Sequence, residues 1–298
     1  MGKDNVTLTV IKRELLQDKV ALISVVFLVS LILILTASVF LVDENAVFQM
    51  RANERFLRLN LRPSREFWLG TNGWGQDVLL VLLVATRNSL TITIIATLIS
   101  SAFGTLYGLV SGYIGGRVDN FMNGIVDMIT AVPNLIALII LLNFFGGFNE
   151  RNFILTVSLL AWTGVAKVIR ARVVQEKNLE YIMASKTLGT SHFKIIFQKL
   201  IPNLSTPIIA GITLNAGAII IMESVLAFFL VDATPGSIPV YFSGGITLGR
   251  VLALTGYTTI LRFRPWQWVP AVTMVVLIMF SINSIGNILN KVADEGRR

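Results

Sequence analysis

Cysteine is absent from this 298-residue chain, and histidine occurs once, as His192. Neither a disulfide framework nor a thiolate metal site is therefore available. The single histidine and the lack of a His/Asp/Glu cluster at ligand spacing argue against a zinc site as well. Charge is scarce. Charged residues make up 14% of the chain and hydrophobic ones 54%, with a mean hydropathy of +0.73. A soluble domain would carry about a quarter charged residues, so the chain reads as an integral membrane protein. Acid is scarcer than base, 17 residues against 25, giving a net charge of +8 and a pI near 10.0. In a membrane chain such an excess serves to orient basic loops among anionic lipids rather than to bind nucleic acid. The sequence contains no G-x-x-x-x-G-K-[ST], so it cannot cradle nucleotide phosphates in a P-loop. It offers no nucleophile–base pair in an apolar run, which argues against an intramembrane enzyme. No internal repeat, low-complexity tract or second soluble domain is evident.

What the sequence does have is apolar length. Six runs are long enough to span a bilayer, at residues 21–42, 88–112, 120–145, 153–171, 207–230 and 269–289. The first, 22 residues or about 33 Å of helix, exceeds the 7–15-residue core of a cleavable signal and ends in VDEN, so a retained helix is expected. The expected fold is all-α, with six transmembrane helices. Residues 1–20 form a cytoplasmic segment ahead of a single membrane domain at 21–298, with extracytoplasmic segments at 43–87 and 231–268. Orientation follows from the basic residues. With the N-terminus inside, all nine lysines fall on the cytoplasmic side, including Lys167, Lys177, Lys186, Lys194, Lys199 and Lys291. The outer segments hold only arginine, although Arg51, Arg55, Arg58, Arg62 and Arg65 crowd the first of them. Both termini and the loop at 172–206 are then cytoplasmic.

That loop contains LEYIMASKTLGTSHFKIIFQKLIPN, residues 179–203. Ser191 is suited to cap a helix, and Phe193, Ile196, Phe197, Leu200 and Ile201 follow at helical spacing until Pro202 ends the pattern. Ahead of it, residues 180–188 form a short helical candidate that stops at Gly189, a residue suited to a left-handed helix end. Amphipathicity alone fits two roles equally, docking a protein or lying on lipid headgroups.

Motifs add a resemblance. Ala184, Gly189 and Pro202 match the E-A-A-x-x-x-G-x9-I-x-L-P signature of ATP-binding-cassette importer permeases, with Met183, Ser185, Lys199 and Ile201 departing from it. YIMASKTLG and LIPN resemble the looser form found in the dipeptide/oligopeptide branch. FWLGTNGWGQDVL resembles that branch's GTD-x-x-GRD-V-L motif, with Asn72 for Asp and Gln76 for Arg. Arg87, Ser89 and Leu90 match its R-x-SL. Asp119, Asp127 and Pro133 fit its GG-x-x-D…P run, residues 223–226 (ESVL) its ES-x-L, and PWQWVPAVTM its late PW…P segment. The likeness extends over residues 18–287.

The resemblance implies a permease that pairs with a second, similar permease around a solute path. Two cytoplasmic ATPases would carry ATP and magnesium, this chain binding no cofactor of its own, and an extracytoplasmic binding protein would deliver the ligand. It further implies that the loop between helices four and five is a coupling helix docked on an ATPase, through Glu180, Tyr181, Ala184, Ser185, Lys186, Leu188, Gly189, Thr190, Ser191, Phe193 and Pro202. The implied cargo is oligopeptide or dipeptide, with nickel or another small solute as the alternative, and the implied place is a bacterial inner or plasma membrane. A stand-alone secondary transporter would call for paired broken helices in an inverted repeat, which the sequence lacks.

Within the spans, Gly104, Gly108 and Gly112 recur at every fourth position, an arrangement that lets another helix come close. Packing within the chain is the simpler reading, a permease–permease interface the other. Glu223 is an acid inside the fifth run, and acids there are functional candidates. It is offset by about 80° from Asn215 on a helix, so both suit one interior seam, in a structural or gating role. A proton or ion site is the third reading, disfavoured by the lack of a second acid at that depth. Asp127 shares a face with Asn120 and Asn123, with Lys167 and Arg170 as prospective partners in a structural cluster at the cytoplasmic ends. Trp68, Trp74, Trp266 and Trp268 suit interfacial anchoring. Asn283, Asn287 and Asn290 suit bonding between helices.

Overall fold

A computed structural model describes residues 18–42, 57–147, 149–230, 245–255 and 258–295. Most of the expected N-terminal segment, Arg51 and Arg55, and the stretch 231–244 lie outside the described residues. The first helix, α1 (Lys19–Leu41), opens on Asp18, whose Oδ1 accepts from the Ala21 amide at 3.2 Å. Next comes α2 (Val78–Ile114), capped by Asp77, whose Oδ1 accepts from Leu79 N at 2.8 Å. Partial burial raises the Asp77 carboxyl above the ordinary aspartate range, against the Leu79 and Leu80 amides, which hold it down.

At 37 residues, or about 56 Å, α2 is far longer than the run expected at 88–112. Its first ten residues, 78–87, fall in the expected outer segment at 43–87. The apolar 78–84 stretch ahead of them simply continues the helix.

Two glycines with positive φ, Gly115 (74°) and Gly116 (59°), turn the chain into α3 (Gly116–Ala131). The third expected span is not one helix. It breaks between α3 and α4 (Asn134–Phe144), which meet at 87°. Pro133 is the cause, since its ring drives Val132 to extended backbone (φ −84°, ψ 129°) and ends α3 there. The longer α5 (Glu150–Glu176) follows, then α6 (Glu180–Thr187) and α7 (His192–Ile195). The chain winds on through a π-helical turn (Ile196–Leu200) and Ile201–Asn203. Pro202 therefore does not end the pattern. The widened turn ahead of it relieves the clash its ring would make in a regular α-helix.

Beyond lie α8 (Ser205–Leu230), α9 (Leu248–Thr255), α10 (Thr258–Phe263) and α11 (Pro265–Glu295). Among the described residues, five helices are long and apolar enough to cross a membrane, or six if the bent pair α3/α4 counts as one span.

The bundle is built around α2 against α5, the most extensive helix pair. A Cβ at Gly104, Gly108 or Gly112 would lie 2.5 Å from Trp162 O, 2.6 Å from Ala166 O and 2.9 Å from Arg170 O, respectively. The glycine stripe thus brings two backbones of the same chain together. Outward-facing side chains are largely apolar, among them Ile23, Phe40, Phe121 and Phe144, as expected where lipid or another subunit takes the place of water. Lys291 lies 3.7 Å from Asp18, so the start of α1 and the end of α11 share one end of the molecule.

Candidate functional site

The sequence-predicted loop folds into a braced knob. Leu188 and Gly189 (φ 74°) separate α6 from α7, and Ser191 caps α7 by accepting from Lys194 N at 3.4 Å. The left-handed turn is open to glycine at no steric cost. Inside, Ile182, Ile195, Leu200 and Leu204 are buried against Leu109 and Tyr113 of α2 and Val173 of α5. Tyr181 joins the two halves, its hydroxyl donating to Glu176 Oε2 at 2.9 Å and accepting from Asn203 Nδ2 at 2.8 Å. Ser185 bonds back to Tyr181 O at 2.7 Å. Both residues are half-buried and brace the knob.

The outer surface carries Met183, Leu188 and Phe193, 50%, 84% and 69% exposed, and Phe197, whose ring lies 4.3 Å from that of Phe193. Glu180, Ala184, Lys186, Gly189, Ser191 and Pro202 are exposed beside them, and Thr190 is half-buried. The expected five-residue apolar face is therefore divided. The π turn changes the register, sending Leu200 inward and leaving Phe193 and Phe197 outside. Ile195, which is buried, was not on that face.

The knob is tied to the ends of α2 and α5. Tyr113 Oη lies 2.8 Å from His192 Nδ1, Lys186 Nζ sits 5.2 Å over the Tyr113 ring, and Lys177 Nζ donates to Gly112 O at 2.6 Å. Next to it are two ion pairs. Lys167 meets Asp127 at 3.0 Å, with Asn123 donating to the same carboxylate at 2.8 Å. Arg170, grouped with Asp127 from the sequence, instead makes a two-pronged contact with Asp119, at 2.5 and 2.7 Å. Ser111 adds a third bond to Asp119 at 2.6 Å. The Gly115–Gly116 turn is what brings Asp119 back over α2, a juxtaposition that sequence spacing does not report.

A second polar seam lies toward the opposite end of α8. Asn215 Nδ2 donates to Ser100 and Ser101 of α2 at 2.8 and 3.1 Å. Glu223, fully buried, accepts from Ser89 of α2 at 3.1 Å on Oε2. Both residues face α2. The surprise is α9. Residues 245–255, expected in an outer segment, return into the bundle, where Leu248, Gly249, Arg250, Val251, Ala253 and Thr255 are buried. Ser89 Oγ accepts from Leu248 N at 2.9 Å, and Asn88 Nδ2 donates to Ile246 O at 2.9 Å.

At that same end residues 57–77 form a cap over α11. Asn60 Oδ1 accepts from Arg264 and Gln267, at 2.5 and 3.0 Å, and Thr71 O accepts from Gln267 at 3.0 Å. Asn72 and Gln76, the two departures from the motif, bond to one another at 2.8 Å. Trp68 stands exposed on the cap, while Trp266 donates to Thr71 O at 3.4 Å.

Comparison with known proteins bears on these features together. Residues 104–298 match the family described as "Binding-protein-dependent transport system inner membrane component". The chain is 35% identical over 287 residues to the oligopeptide transport system permease protein OppC of Lactococcus lactis subsp. lactis (strain IL1403), covering 96% of this chain and 93% of that one. It is 32% identical over 286 residues to the dipeptide transport system permease protein DppC of Bacillus subtilis (strain 168), covering 96% and 85%. Its fold is similar to a chain of the inward-facing MetNI methionine ABC transporter, with a TM-score of 0.60 at 14% identity, covering 73% of this chain and 97% of that one.

Proposed function

This chain belongs to the family of binding-protein-dependent transport system inner membrane components, and we propose that it is the permease subunit of an ATP-driven peptide importer. Peptide as cargo is supported by relatives named for oligopeptide and dipeptide transport. The chain spans the membrane several times, with both termini and the knob at residues 179–203 in the cytoplasm and the 57–77 cap outside. It pairs with a second permease around the solute path. A binding protein delivers the peptide from outside, and two ATPases carrying ATP and magnesium dock below.

The single observation that carries this reading is the knob, which presents an aromatic and aliphatic surface outward from a brace of buried Ile182, Ile195 and Leu200. A lipid-lying hairpin has no need of such bracing. A docked lever does, because force on its tip must reach the spans without dissipating in side-chain rearrangement. Load on Phe193 and Phe197 passes through Ile195 to Leu109, Tyr113 and Val173. From there α2 and α5 move as one body, since their glycine-mediated contact leaves no slack. Gly189 provides the turn that sets the two arms of the knob, and Lys186 offers a charge for an acidic partner surface.

Purification with whatever co-assembles, followed by uptake in proteoliposomes, tests this directly. Uptake of a labelled peptide mixture is expected to need ATP, the ATPases and the binding protein, and to be suppressed by excess unlabelled peptide. Uptake without ATPases would overturn the reading. Transport of nickel with no competition by peptide would reassign the cargo.

A further inference from the structure

The outward face of α2 sets a scale of depth. An exposed apolar stripe runs along it from Ile94 through Phe103, Leu106 and Val110 to Ile114, about 30 Å, the thickness of a hydrocarbon core. The ion pair of Asp127 with Lys167 lies inside the cytoplasmic end of that stripe. A Cβ at Gly108 would be 2.6 Å from Ala166 O, so Lys167 is level with residues 108–109 of α2, about 8 Å short of Ile114. Asn123, which donates to Asp127, lines one crevice with Gly108 and Lys167.

At this level the bundle has two unlike faces. Leu106 and Val110 are exposed on α2 about 160° around the helix from Gly108, on the side away from α5, and that face is apolar. The other face belongs to α3 and α5, which expose Asn120, Asp127 and Lys167 beside Gly124 and Gly164. A Cβ at either glycine would meet nothing within 4 Å. Charged side chains at membrane depth turn to a bundle interior or a water-filled cavity, because hydrocarbon does not solvate them. Asp127 and Lys167 are about half exposed, so their open side is wet. In a permease paired around a solute path, that water is the path.

The pair is also free to part. Arg170 grips Asp119 through two prongs in a buried contact, whereas Lys167 meets Asp127 through one ammonium on a flexible stem. An exposed pair of this kind has little net strength, so competing charges displace it readily. Each member keeps a second partner that holds it in place. Thr130 Oγ1 accepts from Lys167 Nζ at 3.0 Å, and Asn123 donates to Asp127 at 2.8 Å. A peptide with free ends brings the same two groups, an ammonium and a carboxylate. Exchange of partners then leaves no charge uncompensated.

We propose that Asp127 and Lys167 form a site in the cytoplasmic half of the solute path that receives the termini of a passing peptide, Asp127 the ammonium and Lys167 the carboxylate. This inference rests on the transport reading above, and names the chemistry by which the path meets its cargo.

Three forms of one labelled tripeptide test it, free, C-terminally amidated and N-acetylated, carried with ATP by the assembled complex in proteoliposomes. The binding protein is the same throughout, so its preferences cancel when a variant is compared with the unaltered complex. Lys167→Gln should lower the free-to-amidated uptake ratio by about threefold and leave the free-to-acetylated ratio unchanged. Asp127→Asn should do the reverse. Neither ratio moving, or both moving together, would overturn the proposal. So would loss of amidated-peptide uptake in Lys167→Gln, since that cargo has no carboxylate to place.

Wetness has a readout that needs no cargo, and the chain has no native cysteine to confuse it. In inside-out vesicles, Gly124→Cys and Gly164→Cys should react with a charged methanethiosulfonate at least about tenfold faster than Leu106→Cys at the same level. Equal rates would put the face in lipid and sink the site. Absence of ATP-dependent uptake by the unaltered complex would instead overturn the transport reading, and the reaction rates would still decide whether this face is wet.

Discussion

Two aspartates on α3 have similar sequence surroundings and different physical circumstances. Asp119 is buried, gripped by both prongs of Arg170 and by Ser111. Asp127 is 57% exposed and its partner Lys167 43%. Removing one member of a buried, hydrogen-bonded pair leaves the other desolvated without compensation, whereas an exposed pair trades its partner for water. Asp119→Asn is therefore expected to lower stability by about 1–3 kcal/mol, read as a drop in thermal unfolding midpoint of the purified protein. Asp127→Asn should cost less than about 1 kcal/mol. Equal effects would mean that burial does not govern these pairs. The sequence drew attention to Asp127 because its neighbours Asn120 and Asn123 lie one turn apart along a helix. The contact of Asp119 with Arg170 bridges 51 positions through a glycine turn, and no periodicity reports that.

At the level of elements, the knob divides the expected apolar face, with Leu200 turned inward and Phe193 and Phe197 outside. Ile182 and Ile195 are in the brace, Phe193 and Phe197 on the tip. The substitution Ile182→Ala removes buried methyl groups and should destabilise the fold by about 2–5 kcal/mol. Phe193→Asp with Phe197→Asp should leave the unfolding midpoint nearly unchanged while lowering ATPase co-purification by about an order of magnitude. Retained co-purification of the double variant would remove the tip from the docking surface. The helix pair, its glycine junction and its serine cap were all legible, since each depends on local chemistry. The division of the apolar face was not, because a π turn inserted ahead of Pro202 rotates everything beyond it. A similar limit applies to the third span, where an unbroken apolar run masked the consequence of Pro133.

For the molecule as a whole, the distribution of basic residues sets the direction of insertion. Trp68 on the cap and Leu188 on the knob are the natural places to check it, at 73% and 84% exposed, whereas Thr71 is buried and would report nothing. Single variants Trp68→Cys and Leu188→Cys should react with a membrane-impermeant maleimide from opposite sides, Trp68→Cys from outside intact cells. Labelling of both from the same side would overturn the topology.

Taken alone, the sequence determined that the chain is a helical membrane protein, which apolar runs lie in its long helices, that α2 carries a small-residue stripe, and that a capped helix pair interrupts the spans. All of these follow from hydropathy and from contacts a few residues apart, which a linear string records. Tertiary structure alone decided that α9 returns into the bundle, that Ser89 connects it to Glu223, and that Arg170 chooses Asp119. Residues 245–255, with Arg250 among them, lack the apolar length of a span. Their burial becomes favourable only once α2, α8 and α11 have assembled a seat with polar partners for their backbone.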